Sequence, residues 1–299
     1  MTGVGRLVAR GPRIDDVARA ALIRLLSDPT IELLPLKGVR SQIPGLPPGA
    51  RVSITASPGR GLEATVDLAV ELQAAGFRAV PHLSARMVRD RAHLADLLAR
   101  MAASGVRRAF VVGGDTADPG PYADGLSLLR AIHEVGPVPG AIGVPCYPDG
   151  HPFIPDDALL VGLRAKLPFA SWMTTQLCFD PAKVGAWLAA RRAEGIGTPA
   201  VIGLAGVTEP HRLLAISARI GVRDSRRFVA KNLGLLARLV RSGGFYRPDG
   251  LLAGIAPLIA DPAMRVEGLH LYSFNQVAPT EAWRRALLAR MDDGARSTF

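Results

Sequence analysis

Residues 78–115, RAVPHLSARMVRDRAHLADLLARMAASGVRRAFVVGGD, contain two strands and the helix that joins them. Arg78–Leu83 reads as a strand, Arg91 to Ser104 as an Ala/Leu-rich helix stopped by Gly105, and Ala109–Val112 as the next strand. That strand runs into Gly113-Gly114-Asp115. A strand, a helix and a second strand in this order form a parallel pair with a crossover.

The same alternation extends in both directions. Upstream lie a helix over Asp15–Leu26, strands over Thr30–Leu34 and Arg51–Ala56, and a helix from Leu62 to Ala75 closed by Gly76. Downstream, strands are predicted at Ala141–Val144, Trp172–Leu177, Ala200–Leu204 and Gly268–Phe274. Helices are predicted near Ala123–Glu134, Pro155–Lys166, after Asp180 with Pro181 at its first position, near Pro210–Arg219, near Asp224–Arg241 and from Thr280. Eight strands with intervening helices predict an α/β chain folded as a (β/α)8 TIM barrel. The expectation is one barrel domain over residues 1–299, preceded by its N-terminal helix.

Composition agrees with that size. Hydrophobic residues are 48% of 299 and aromatics only 5%, so the core is built mainly of aliphatic side chains. The 32 glycines and 24 prolines suit many short junctions. The net charge of +10 is nearly all arginine, since the lysines are Lys37, Lys166, Lys183 and Lys231. No arginine block with interleaved aromatics argues for nucleic acid; an anionic small molecule suits the charge better. Cys146 and Cys178 form no metal-ligand pattern and are expected as buried thiols of a cytoplasmic protein. Met1–Arg13 lacks an apolar leader core, and no run of 18 apolar residues predicts a membrane span. The oligomeric state stays open.

In a barrel of this class, chemistry gathers at the C-terminal strand ends. Glu32, Thr55, His82, Asp115, Tyr147, Gln176 and Asn275 fall there. Glu32 lies in Ile31-Glu32-Leu33-Leu34-Pro35, and an acid in an apolar wall is costly unless paired or functional. That setting suits a proton donor, against the alternative of a structural partner for a barrel arginine. Asp115 follows two glycines and could grip a heteroaromatic N–H, or simply cap a turn. Gln176 offers a donor and an acceptor to a pterin. His82 alone reads as a hydrogen-bonded core histidine, and Tyr147 and His151 as possible braces of a Pro/Gly loop.

Taken together and in order, these segments resemble the methylenetetrahydrofolate reductase family. They are Ile31–Pro35, Val52–Thr55, Pro81–Leu83, Gly114-Asp115, Tyr147-Pro148 with His151-Pro152, Thr175–Asp180 and Leu271–Asn275. The resemblance implies that Glu32 is the acid that opens the imidazolidine ring of 5,10-methylenetetrahydrofolate. Hydride from NADH or NADPH then yields 5-methyltetrahydrofolate. It implies Asp115, Gln176 and Asn275 on the folate side, and Thr55, His82, Tyr147, His151 and Lys166 on the side of FAD, the family cofactor. Ser225–Asn232 offers Arg226, Arg227 and Lys231 for the folate tail, against plain helix-surface charge.

The departures concentrate on the flavin. The segment Pro35–Ala50 is short. Gly113 stands where the family has an arginine, Gln276 where another arginine is expected, and Leu159, Gly162 and Ala165 where polar groups run along the flavin. Asp156 and Asp157 are out of register, leaving Lys166 as the main match. A pyrophosphate needs cationic or backbone N–H partners. The expectation is therefore a reductase without tightly bound FAD. Two other classes fit the same barrel: a folate-dependent methyltransferase and a non-catalytic folate-binding subunit.

Overall fold

The computed structural model describes residues 14–116, 119–209 and 245–292. Eight parallel strands close into one barrel in chain order: β1 Thr30–Leu33, β2 Arg51–Ile54, β3 Arg78–Ser84, β4 Arg108–Val112, β5 Ala141–Cys146, β6 Trp172–Thr175, β7 Ala200–Ala205 and β8 Val266–Tyr272. Closure is made by β8 against β1, with His270 opposite Thr30 and Tyr272 opposite Glu32. The (β/α)8 architecture read from the sequence is the one observed.

The described helices are α1 Asp16–Ser27, α2 Gly61–Ala74, α3 Arg91–Ala103, α4 Gly125–Val135, α5 Asp156–Lys166, α6 Pro181–Ala193, α7 Asp249–Ala260 and α8 Val277–Asp292. Their starts are written in the sequence. Asp15, Asp90, Asp124 and Asp180 accept hydrogen bonds from the first-turn amides of α1, α3, α4 and α6. Gly76 and Gly105 turn the chain at φ 87° and 76°, as helix-stopping glycines do. The apolar faces of the helices pack on the outer face of the barrel, burying residues such as Leu22, Leu72, Leu97 and Ile132 completely.

Several boundaries differ from the sequence reading. β1, β2 and β6 end before Leu34, Ala56 and Leu177, where pairing with the neighbouring strand stops. β8 starts earlier, at Val266, and stops at Tyr272, because Phe274 and Asn275 adopt left-handed φ values of 52° and 56°. The last helix starts at Val277, not Thr280. Helix α7 was not expected; it packs against α1 and α6. The helices predicted at 210–219 and 224–241, with Arg226, Arg227 and Lys231, lie outside the described residues. Within the described residues, no helix is long and apolar enough to cross a membrane.

Two glycines make room inside the barrel. A Cβ on Gly143 would fall into the ring of Trp172, and one on Gly203 would lie 2.6 Å from the ring of Tyr272. Trp172 thus packs with Val80 and Phe110 in the lower interior, and Tyr272 with Ala205, Tyr246 and Phe274 above.

Candidate active site

Glu32 projects from β1 and is 6% exposed. Its Oε2 lies 3.1 Å from Nε2 of His270, on the strand that closes the barrel. Nε2 of His82 is 3.9 Å from the same oxygen and 2.7 Å from the hydroxyl of Ser53. Burial, and next to it the nearby His270, push His82 down to about 3, so its imidazole is neutral and its approach to Glu32 is not an ion pair. His270 is therefore the polar partner of the acid. At 3.1 Å the two are within hydrogen-bond distance, and which atom donates depends on the histidine tautomer.

The surrounding groups hold the pair in place. The Ser273 hydroxyl donates to the carbonyl of Glu32 at 2.5 Å. The Tyr272 hydroxyl donates to the Thr175 carbonyl at 2.9 Å, and the amide of Gly203 donates to the Thr175 hydroxyl at 2.8 Å. Burial and the adjacent Glu32 raise the Tyr272 phenol far above its ordinary range, so it serves as a fixed donor.

The other sequence candidates divide among three places. His82 stands in the barrel interior beside Glu32, not with Tyr147, His151 and Lys166. His82 shares the inward face of β3 with Val80 and bonds Ser53 of β2. Asp115 is exposed on the loop beyond β4, whose backbone is held by Arg86 through Gly113 and Thr116. Gln176 is half-buried, and its Oε1 accepts from the amide of Leu177 at 2.9 Å, leaving its NH2 to point elsewhere. Asn275 uses both ends of its amide on Leu34: Oδ1 accepts from the backbone N–H at 2.9 Å and Nδ2 donates to the carbonyl at 3.0 Å. Its left-handed φ turns it back onto the end of β1, so it acts by fixing the segment after Glu32. Thr55 is half-buried, and its carbonyl accepts from the Thr65 hydroxyl, tying α2 to β2.

Tyr147 and Lys166 line a cavity of about 600 Å³ between β5 and helices α4, α5 and α6, together with Gly113, Leu159 and Gly162. His151 packs edge-on against Tyr147, with ring centroids 5.4 Å apart. Burial pushes the Tyr147 phenol up to about 12 and the Lys166 amine down. The rest of the polar wall is acidic: Asp124, Asp156 and Asp157 line it. Arg191 also reaches it but is held by Glu194 through two hydrogen bonds of 2.6 and 2.9 Å. A flavin dinucleotide here would set its pyrophosphate against three carboxylates and one uncommitted amine. The N-terminus of α4 already accommodates the Asp124 carboxylate. These residues do not fit FAD.

The sequence reading missed His270 and Ser53. Alternation in Leu269-His270-Leu271-Tyr272 puts His270 and Tyr272 on one face of the strand, which is the signal that would have found the histidine.

A family model described as methylenetetrahydrofolate reductase matches residues 47–225, more than half of the 299 residues. The match spans β2 to β7 and takes in Thr55, His82, Asp115, Tyr147, His151, Lys166 and Gln176, while Glu32, His270 and Asn275 lie outside it. Among solved structures, an oxaloacetate acetylhydrolase aligns at 13% identity with a TM-score of 0.50, covering 94% of this chain and 88% of that one. A plant class V chitinase mutant from Cycas revoluta, in complex with (GlcNAc)3, aligns at 10% identity with a TM-score of 0.52, covering 88% and 99%. At such identities the likeness concerns the barrel alone.

Proposed function

The chain belongs to the methylenetetrahydrofolate reductase family, and from that premise we propose that it reduces 5,10-methylenetetrahydrofolate to 5-methyltetrahydrofolate, taking hydride from NADH or NADPH without tightly bound FAD. The observation that carries the reading is the Glu32 carboxyl, buried in the barrel wall with His270 at 3.1 Å. A carboxyl so placed can give a proton to N10 of the folate as the N10–methylene bond breaks. The N5 lone pair then forms the iminium, and hydride adds to its carbon. Overall, one hydride and one proton enter, and the oxidised nucleotide leaves. His270 is placed to return a proton to Glu32 for the next turnover. Asp115 and the NH2 of Gln176, whose Oε1 is taken by the Leu177 amide, are the proposed pterin contacts.

The acidic wall around Lys166 supports the flavin-free form. The test is oxidation of NADH and of NADPH by 5,10-methylenetetrahydrofolate, with and without added FAD, alongside a visible spectrum of the purified protein. We expect oxidation without FAD and no flavin absorbance. Turnover that appears only after FAD is added would reject the flavin-free form. Methyl transfer from 5-methyltetrahydrofolate with no nucleotide oxidation would reject the reductase and leave the methyltransferase reading.

A further inference from the structure

Three neighbouring strands begin with arginine at the N-terminal rim of the barrel, opposite the end proposed for catalysis: Arg51 of β2, Arg78 of β3 and Arg108 of β4. Asp28 is the carboxylate that faces them. It pairs with Arg78, and more loosely with Arg51 at 3.2 Å. Arg51 and Arg108 line a second cavity, of about 180 Å³, together with Thr30, Ser171, Trp172 and Glu267. Glu267 sits on the far side of the opening and is half-exposed, paired with Arg265 at 3.1 Å.

The Nε atoms of both Arg51 and Arg108 are buried without a hydrogen-bond partner among the described residues. A buried N–H with no acceptor is uncommon, because its desolvation goes uncompensated. The guanidinium of Arg108 lies over Trp172, 4.6 Å from the ring centroid, so it cannot swing out to solvent without losing that contact. Burial lowers the proton affinity of both arginines, helped at Arg51 by the neighbouring Arg78 and at Arg108 by Arg51 and Arg78. A water molecule would supply the missing acceptors but leave the charge of Arg108, which has no ion-pair partner among the described residues, uncompensated; Arg51 shares Asp28 with Arg78. An anion supplies both.

We propose that this cavity binds a small oxyanion, with inorganic phosphate as the reference ligand, held between the guanidinium groups of Arg51 and Arg108. Two planar forks facing one cavity match the several oxygens of a phosphate or sulfate. The cavity volume admits such an ion and excludes a nucleotide. Its inner wall includes Ser53 and His270, so the bound anion lies beneath the Glu32–His270 pair and leaves the opposite mouth open to substrate. This site is independent of the reductase reading.

Thermal unfolding of the full chain in potassium phosphate, with potassium chloride at matched ionic strength as the reference, tests the assignment. Phosphate should raise the unfolding temperature saturably, by about 3–6 °C at concentrations well above Kd. Tryptophan emission should change with the same midpoint, because Trp172 stacks on Arg108. Arg108→Gln should weaken phosphate binding at least about tenfold, the loss expected for one charge-assisted pair. Arg51→Lys, which keeps the charge but loses the fork, serves in its place if Arg108→Gln does not fold. The proposal is overturned if phosphate and chloride shift the unfolding temperature alike, or if the variants titrate like the parent chain.

Discussion

Glu32 and His270 are 238 residues apart in sequence and 3.1 Å apart in space, across the seam where the last strand closes on the first. The pairing gives the acid a proton partner that no neighbouring strand upstream provides. Replacing Glu32 with Gln should cut kcat by about 10²–10⁴-fold, the usual contribution of a positioned acid, while folate affinity stays within about threefold. His270→Gln keeps a donor near the carboxyl and should cost less, about tenfold. Single-turnover nucleotide oxidation and folate titration separate the two effects. Near-normal turnover of Glu32→Gln would remove the acid from the reaction.

His82 makes stability depend on pH. Its imidazole is held neutral in the fold, with its pKa pushed to about 3 by burial, against about 6.5 in an unfolded chain. Between those values the unfolded chain takes up a proton that the folded state refuses. Stability is therefore complete above pH 6.5 and falls as the pH drops toward 3, by at most about 1.4 kcal/mol per pH unit. Burial shifts His93 the same way, so His82→Gln should flatten the slope without abolishing it. Urea midpoints measured from about pH 7.5 down to 4.5 provide the check; an unchanged slope would mean that His82 is already protonated in the folded state.

Asn275 ties the end of β8 to the residue two positions after Glu32. Removing both bonds with Asn275→Ala should lower stability by about 1–3 kcal/mol and reduce kcat through loss of Glu32 placement. Asn275→Asp sets a carboxylate against the Leu34 carbonyl and should be at least as damaging. Equal KM values with a reduced kcat would support a positioning role; a raised folate Kd with unchanged kcat would instead make Asn275 a direct ligand.

Glu281 and Arg284 form a buried two-bond pair on α8, at 2.7 and 2.5 Å, and Arg284 also donates to the Leu26 carbonyl at the end of α1. Arg284→Met leaves Glu281 buried with the exposed Arg285 as its ion-pair partner among the described residues and should destabilise by about 3 kcal/mol. A double replacement, Glu281→Leu with Arg284→Met, should recover most of that loss. Denaturant unfolding of the three variants tests the pair; a double variant no more stable than the single would show that the contact with Leu26 dominates.

The barrel was legible because its punctuation is local. Aspartates cap helix starts, Gly76 and Gly105 stop helices, and short apolar strands lie between them. Strand ends were less legible, since they depend on register with a neighbour distant in sequence. Helix α7 escaped because Gly250, Gly254 and Pro257 imitate a loop; in the fold Gly254 is small so that α7 can close on Pro181. The acid was readable from its apolar setting; alternation could turn His270 inward, but only closure of β8 on β1 shows that it meets Glu32. The rim arginines were hidden for a related reason: as single charges at strand starts they look like ordinary surface, and only closure of the sheet turns them toward one cavity.

The seam between β8 and β1 also has a consequence for synthesis. A ribosome delivers Glu32 238 residues ahead of His270, so the nascent polypeptide carries the acid without that partner through the whole of this stretch. Until β8 arrives, the growing sheet has two open edges. A transcript truncated before residue 266 would therefore leave both a dangling acid and a sticky border for chaperones and proteases to recognise.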